Sequence, residues 1–310
     1  MKLIKAIWEI LYLTVQEFIE DRAFQLGAAL AFFTLFSLPP LLIVVIALVG
    51  NFLGRETVQQ QLLHYAQEHL GKEGIAGVQT ILNNVQIPDA TQSTTWLSML
   101  VLFISAAGLF LQLQDALNIV WGIQVKAKRP FLKLLLDRLF SFMMILAMGG
   151  LLLLGFFLDA ALTIFSDFIG HYLTGYIYLA LFQSLSSLIS FALMILLVGF
   201  IYKVLPDAKI SWRTVIFGAV ITSALFSLGK IVISFYLNHI PITPAYGTAG
   251  TMLAFLFWLF LSSQIFLLGA EFTEVCTRKY GVEILPADYA TWREGEEEKR
   301  AATKREKILE

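Results

Sequence analysis

Lysine and arginine are distributed unevenly between six apolar stretches, and this asymmetry constrains the fold more than any other feature of the sequence. Each stretch is close to the about 20 residues that a helix needs to cross the hydrocarbon of a bilayer. The chain is therefore predicted to be an all-α, polytopic membrane protein with six transmembrane helices. The stretches are Ala28–Phe52, Trp96–Leu117, Leu139–Leu158, Tyr176–Ile201, Val215–Leu237 and Met252–Thr273.

The positions of the cations predict the orientation of these helices. Nineteen of the 22 Lys and Arg residues lie before the first stretch, between the second and third, between the fourth and fifth, or after the sixth. Cytoplasmic loops carry an excess of Lys and Arg, so both termini are predicted to be cytoplasmic. A chain that is 58% hydrophobic and only 15% charged is not an ordinary soluble domain. Its net charge of −1 also argues against a nucleic-acid partner.

Three segments are predicted around this topology. Apolar residues such as Ile4, Leu11 and Phe18 recur at helical spacing near the N-terminus, which is typical of an amphipathic helix on a membrane interface. The predicted organisation is a cytoplasmic interfacial helix at 1–27, a six-span membrane domain at 28–273 with an external segment at about 53–95, and a charged cytoplasmic tail at 274–310. The external segment is expected to form two short amphipathic helices separated at Gly71–Gly74, and the tail to be solvated and dispensable for the core.

Polar residues inside the apolar stretches are the candidate pathway or substrate contacts. A lysine at the centre of a bilayer costs roughly 2.5–3.5 kcal/mol, so Lys230 is expected either to snorkel outward or to face a cavity and pair with a carboxylate such as Asp159. Gln183 and Ser187 lie on one side of the fourth stretch and Gln264 lies within the sixth. Interhelical hydrogen bonds and a wet pathway would produce the same pattern.

Other residues suggest a hinge and a clasp. Pro39 and Pro40 interrupt the hydrogen bonds of the first stretch, which predicts a packing kink or a hinge. Near the inner helix ends, two carboxylates are expected to pair with cations as structural clasps, with proton coupling as the alternative. These candidate clasp residues are Asp115, Glu271, Arg138 and Arg213, with Arg22 as a further cation.

Catalytic and metal chemistry finds little support in the sequence. The single cysteine, Cys276, excludes an internal disulfide and a cysteine metal cluster. The four histidines, His64, His69, His171 and His239, all lie on the predicted outer side. The sequence has no Walker A loop, nucleophile elbow or zinc helix motif. The chain is therefore expected not to be an enzyme and to need no cofactor.

Several short motifs resemble the YihY/BrkB family of bacterial membrane proteins. They are the run Ala28–Leu41 with its two prolines, Asn118–Gly122, Arg129–Phe131, Leu205–Asp207 with Trp212 and Arg213, Ala245–Gly250, Trp258 and Gly269–Glu271. The resemblance covers about residues 10–278 and implies six spans in a bacterial inner membrane. The family has been labelled both ribonuclease BN and a virulence factor. The histidine positions argue against the first label, because metal-dependent RNA hydrolysis needs clustered ligands.

Two functions are compatible with these features. The first is a transporter or flippase-like protein for an envelope lipid or another amphipathic anion, in which Lys230 attracts the charged group. The basic turn Gln124–Arg138 suits contact with anionic headgroups, so membrane lipids are the expected partners. The alternative is a non-transporting scaffold for envelope assembly, acting as a homo-oligomer or with a protein partner. An intramembrane enzyme ranks third.

Overall fold

The computed structural model describes residues 2–84, 108–125, 150, 176–239, 249–280 and 284–300. Most of them are helical. The helices are α1 (Lys2–Glu20), α2 (Ala23–Leu53), α3 (Arg55–Asn84), α4 (108–120), α5 (Tyr176–Val204), α6 (Trp212–His239) and α7 (Gly250–Tyr280). Strand β1 (Ile123–Val125) pairs antiparallel with β4 (Ala290–Trp292), and β2 (Ala208–Lys209) pairs antiparallel with β3 (Leu285–Pro286).

Four of these helices are long and apolar enough to cross a membrane, which confirms a helical, multi-pass membrane protein. They contain the first, fourth, fifth and sixth predicted stretches. The third stretch and most of the second lie outside the described residues. Large apolar side chains are exposed along α6, including Ile231 and Val232, as expected where a helix faces lipid tails rather than protein. The candidate spans are Ala23–Ile43, Ser187–Val204, Trp212–Ile233 and Gly250–Tyr280.

Helices α6 and α7 pack through two reciprocal contacts between glycine and threonine. A Cβ added to Gly218 would lie 2.5 Å from Thr273, and one added to Gly269 would lie 2.2 Å from the hydroxyl of Thr222. Each threonine donates its hydroxyl hydrogen to the glycine carbonyl one turn earlier on its own helix. Small residues, which let two backbones approach closely, are enriched where membrane helices pack against each other. Gly218 and Thr222 of α6 therefore face α7.

Helix α3 corrects the prediction of two short external helices. It is one continuous helix, joined to α2 by the single residue Gly54, whose φ of +89° suits glycine. It folds back along α2 and α7, burying apolar side chains against both. A Cβ at Gly77 would lie 2.2 Å from the ring of Phe255, so the glycine permits this close approach. The buried side chains of α3 are Val58, Ala66, Val78, Ile81 and Leu82.

The segment after α7 also differs from the expectation of a solvated tail. The predicted boundary at residue 274 falls inside α7, and residues 284–300 pack on the bundle through β3 and β4. Ala290 and Ile284 are buried in the same core as Trp121 and Tyr202. We call residues 284–300 the tail segment, and the end of the bundle that it covers the tail end. The opposite end, at Gly54, is the hairpin end.

Helix α1 lies against the tail end of α7. Its Ile10 is buried with Val275 and Cys276, and Phe18 enters the main core. The other face leaves Trp8 and Tyr12 exposed, Trp8 by 72%. Residues 2–20 are thus helical, with one face packed on α7 and the other exposed. That this helix is an amphipathic helix on the membrane interface stays a prediction.

Candidate functional site

Helix α3 carries exposed polar side chains at the level of the middle of α7. Helix α3 runs parallel to α7, and Gly77 of α3 meets Phe255 of α7. Both helices rise about 1.5 Å per residue, so six residues further on Asn83 lies level with Leu261, near the middle of α7. Gln79 and Asn83 are exposed here, on the side of α3 that is not buried. Polar side chains are costly in hydrocarbon, so this side of α3 is not expected to face lipid tails.

Lys230 is half-buried on α6 at the same level. Helix α6 is antiparallel to α7, because Gly218 lies opposite Thr273 and Thr222 lies opposite Gly269. Counting eight residues further along both helices brings Lys230 level with Leu261. It lies one turn before Ile233, which is buried in the same cluster as the end of α3. We call these three polar side chains, which share one level of the bundle, the polar groove: Gln79, Asn83 and Lys230.

The remaining candidate contacts fall in different places. Gln264 packs at the crossing of α7 with α2, where a Cβ on Gly27 would lie 2.0 Å from its amide nitrogen. Its amide reaches the Phe24 carbonyl at only 3.5 Å, and its Oε1 has no partner in the described part of the chain. Ser187 is exposed on α5. Asp159, the side chain of Gln183 and Arg138 lie outside what the structure describes.

The candidate hinge lies inside one helix. Helix α2 continues from Ala23 to Leu53 through Pro39 and Pro40. Just before them, the Ser37 hydroxyl donates to the Thr34 carbonyl at 3.0 Å. Such side-chain bonds help to satisfy carbonyls near a proline in a membrane helix. The two prolines therefore do not break the helix in this structure.

Two of the sequence motifs meet at Asp207, at the tail end. The Asp207 carboxylate accepts hydrogen bonds from Asn118 Nδ2 at 2.9 Å, Tyr289 Oη at 2.7 Å and Gln114 Nε2 at 3.3 Å. Its backbone N–H donates to Asn118 Oδ1 at 2.8 Å. Asn118 and Gln114 belong to α4, Asp207 follows α5, and Tyr289 belongs to the tail segment. This buried node joins three parts of the chain that are distant in sequence.

Ion pairs connect α1, α7 and the tail segment with one another. Arg278 contacts Glu17 at 2.6 Å, and Arg300 contacts Glu274 at 2.6 Å. These two pairs are largely buried, so breaking either would leave a poorly solvated charge. The more exposed pairs are Arg293–Asp21 at 2.7 Å, Lys299–Glu20 at 3.1 Å and Lys279–Glu9 at 2.8 Å. We call these five contacts the ion-pair network.

Asp21 is the titratable member of this network at the turn between α1 and α2. Burial raises the pKa of its carboxyl from 3.8 to about 6, against the opposing attraction of Arg293. The Asp21–Arg293 pair is therefore fully charged only above about pH 6.

Glu271 stands apart from the ion-pair network although it lies beside it. Its side chain is only 1% exposed, and its Oε1 has no hydrogen-bond partner in the described ranges. Among the described residues it pairs with neither Arg22 nor Arg213, and Arg213 is exposed at the start of α6. Asp115 is exposed on α4. Arg138 lies outside the described residues, and the predicted inner clasp of Asp115, Glu271, Arg138 and Arg213 stays a prediction.

Sequence reasoning missed the residues that connect the tail end. Asn118 and Asp207 were noted only as motif residues, and Tyr289 was not singled out. Glu17 and Asp21 carried a signal, because they interrupt the apolar pattern of α1 and lie close to its end. Across the described ranges, no three His, Cys, Asp or Glu side chains gather closely enough to hold a metal ion.

Comparison with known proteins identifies a family and several related membrane proteins. A family model described as Virulence factor BrkB matches residues 14–290. Similar proteins include UPF0761 membrane proteins of Paraburkholderia xenovorans (28% identical, covering 81% of this chain and 56% of the relative) and Acinetobacter baylyi (24% identical, 88% and 63%). A third, from Alcanivorax borkumensis, is 29% identical over 84% of this chain and 58% of the relative. The chain thus spans a little more than half the length of these relatives. No solved structure matches it.

Proposed function

This chain belongs to the virulence factor BrkB family, and we propose that it is a transporter or flippase-like protein for an envelope lipid or another amphipathic anion. The observation that carries the proposal is the polar groove. A lysine and the exposed amides of Gln79 and Asn83 lie level with the middle of a membrane-spanning helix. Charged residues at such depth line cavities and substrate pathways.

The surroundings of Lys230 favour an amphipathic substrate over a small anion. Its neighbours along the helix, Ile231 and Val232, are 68% and 65% exposed and so face lipid. Lys230 therefore lies at the edge between the polar groove and the lipid-facing surface of α6. An anionic headgroup could bind the ammonium group while its acyl chains stay along Ile231 and Val232.

The same proposal places the tail end on the cytoplasmic side of a bacterial inner membrane. Exposed aromatic side chains gather there, from Trp8 and Tyr12 on α1 to Trp212 and Tyr280 on α6 and α7. Tryptophan and tyrosine are enriched at the headgroup level of membranes. Helix α1 would then lie in the inner interface with its exposed face in lipid.

The test is transbilayer movement of a fluorescent anionic phospholipid in proteoliposomes, with a zwitterionic analogue as the reference lipid. Lys230→Leu should slow movement of the anionic lipid at least about tenfold, equal to about 1.4 kcal/mol of barrier, whereas Lys230→Arg should retain most of it. Lys209→Leu is the matched control, because Lys209 is an exposed cation paired with Asp288 at the tail end. Absence of movement by the wild-type protein, together with a stable co-purifying protein partner, would favour the scaffold instead.

A further inference from the structure

Glu271 is buried in a place that suits a neutral carboxylic acid. Its carboxyl lies near enough to Asp21, in the turn between α1 and α2, for their charges to interact, and Ala23, Leu267 and Ala270 are fully buried in the adjoining core. Its Oε1 has no hydrogen-bond partner among the described residues. An ionised carboxylate buried there without its own cation would lose its hydration with nothing to replace it.

The charged and titratable groups around Glu271 reinforce this state. Glu17 and Asp21 face it from α1 and the following turn, and Glu274 and Arg278 from its own helix. Tyr202 approaches from α5. Arg278 does not neutralise Glu271, because its guanidinium contacts Glu17 at 2.6 Å and Glu274 at 3.7 Å. Three of the four charged neighbours named here, all within the described part of the chain, are carboxylates, which disfavour a further negative charge.

We propose that Glu271 is a proton-binding site that is occupied while the ion-pair network is closed and is emptied toward the tail end when the network opens. In the closed state the Glu271 carboxyl holds the proton as an O–H. When Arg300 and Lys299 leave Glu274 and Glu20, water reaches Glu271. The proton passes to that water and leaves toward the tail end as hydronium, and further water molecules solvate the new carboxylate. As the energy-coupling step of transport this rests on the proposed function, whereas the binding of the proton does not.

Infrared spectroscopy of the purified full chain in lipid nanodiscs tests the site without any transport. At about pH 7 the wild-type protein should show the C=O stretching band of a protonated carboxyl group. The band should disappear in Glu271→Gln and persist in Glu20→Gln, since Glu20 is an exposed carboxylate of the network. A missing band, or one unchanged by Glu271→Gln, overturns the proposal.

A second variant guards against misfolding of Glu271→Gln. Glu271→Asp retains the carboxyl group but is one methylene shorter, so the band should shift in frequency. An unshifted band would assign the proton to another residue and overturn the proposal.

The gating part is tested by transfer into heavy water. The Glu271 band should exchange slowly in the wild-type protein and at least about tenfold faster in Lys299→Gln combined with Arg300→Gln, because the buried pair that closes the path is lost. Equal exchange rates in the two proteins would contradict the gate. A proton band that behaves as expected in a protein that moves no lipid would retain the proton site and refute only the transport function.

Discussion

At the scale of single residues, the crossing of α6 and α7 depends on two glycines and two threonines. Thr222 occupies the space over Gly269, and its hydroxyl also lies 3.0 Å from Tyr202 Oη. Tyr202 in turn donates to the Phe266 carbonyl at 2.9 Å. Gly269 thus leaves room for a polar contact among α5, α6 and α7. Any side chain at position 269 must displace the hydroxyl of Thr222.

Gly269→Ala is therefore expected to destabilise the protein by about 1–3 kcal/mol through overpacking. Thermal unfolding in detergent, followed by intrinsic fluorescence, measures the change. Gly199→Ala is the matched control, since its new Cβ would lie 3.5 Å from the Cβ of Ala219, an ordinary contact. In a helix interior that control should be neutral or stabilising by up to about 1 kcal/mol. Equal effects of the two substitutions would contradict the packing argument.

Asp21 should make stability depend on pH in a defined direction. Its pKa is raised from 3.8 to about 6 in the folded state, so the folded protein binds this proton more tightly than the unfolded chain. The contribution of Asp21 to the free energy of unfolding is present at low pH and is lost as pH rises through about 6. Asp21→Asn removes that dependence.

The pH profile of the unfolding midpoint tests this. Relative to Asp21→Asn, the wild-type protein should lose stability between about pH 4 and about pH 6 and then level off. Arg293→Gln removes the attraction of the guanidinium for the Asp21 carboxylate, so the fall in the unfolding midpoint should extend to higher pH. Parallel profiles for wild type and Asp21→Asn would show that Asp21 titrates normally.

At the scale of elements, the tail segment is part of the folded bundle. Its hydrogen bond from Tyr289 to Asp207 links it to α4 and to the turn after α5. Arg300 lies 4.2 Å from the centre of the Trp292 ring while it contacts Glu274. A segment that looks solvated from its charges is therefore held by specific partners at both ends.

Tyr289→Phe should loosen this segment by about 1–3 kcal/mol, because a buried oxygen of Asp207 loses a donor. Limited trypsin digestion after Arg293 reports the loosening, and cleavage should become faster than in the wild-type protein. Tyr280→Phe serves as the control, since Tyr280 is exposed at the end of α7. If both variants are cleaved at the wild-type rate, the hydroxyl of Tyr289 does not hold the segment.

The elements also show where sequence reasoning ends. The spans α2, α5, α6 and α7 were predictable because apolar length is a local property. The course of α3 was not, because Gly71–Gly74 reads locally as a break while the contact of Gly77 with Phe255 is distant in sequence. The same limit applies to the sites: Lys230 was recognised by its cost in lipid, whereas Asp207 acquires its role only when α4 and the tail segment meet.

At the scale of the whole molecule, the two ends of the bundle differ in character. The tail end combines the ion-pair network, the Asp207 node and the exposed aromatic side chains, whereas the hairpin end carries the single-residue turn at Gly54. This difference between the two ends makes the proposed orientation testable.

Cysteine labelling in intact cells checks the orientation. In a Cys276→Ser background, Thr57→Cys near the hairpin end should react with an impermeant maleimide from outside. Thr291→Cys in the tail segment should react only after permeabilisation. Both threonines are exposed, so accessibility to the reagent is the variable. The reverse pattern would invert the proposed topology.

The backward course of α3 also sets an order for assembly during synthesis. Helix α3 is not among the helices apolar enough to cross a membrane, so it gains little by entering the bilayer before its partners exist. Phe255, which packs on Gly77, is translated much later, roughly ten to forty seconds at the usual rate of about 5–20 residues per second. We therefore expect α3 to stay outside the bilayer until α7, which carries Phe255, has been synthesised.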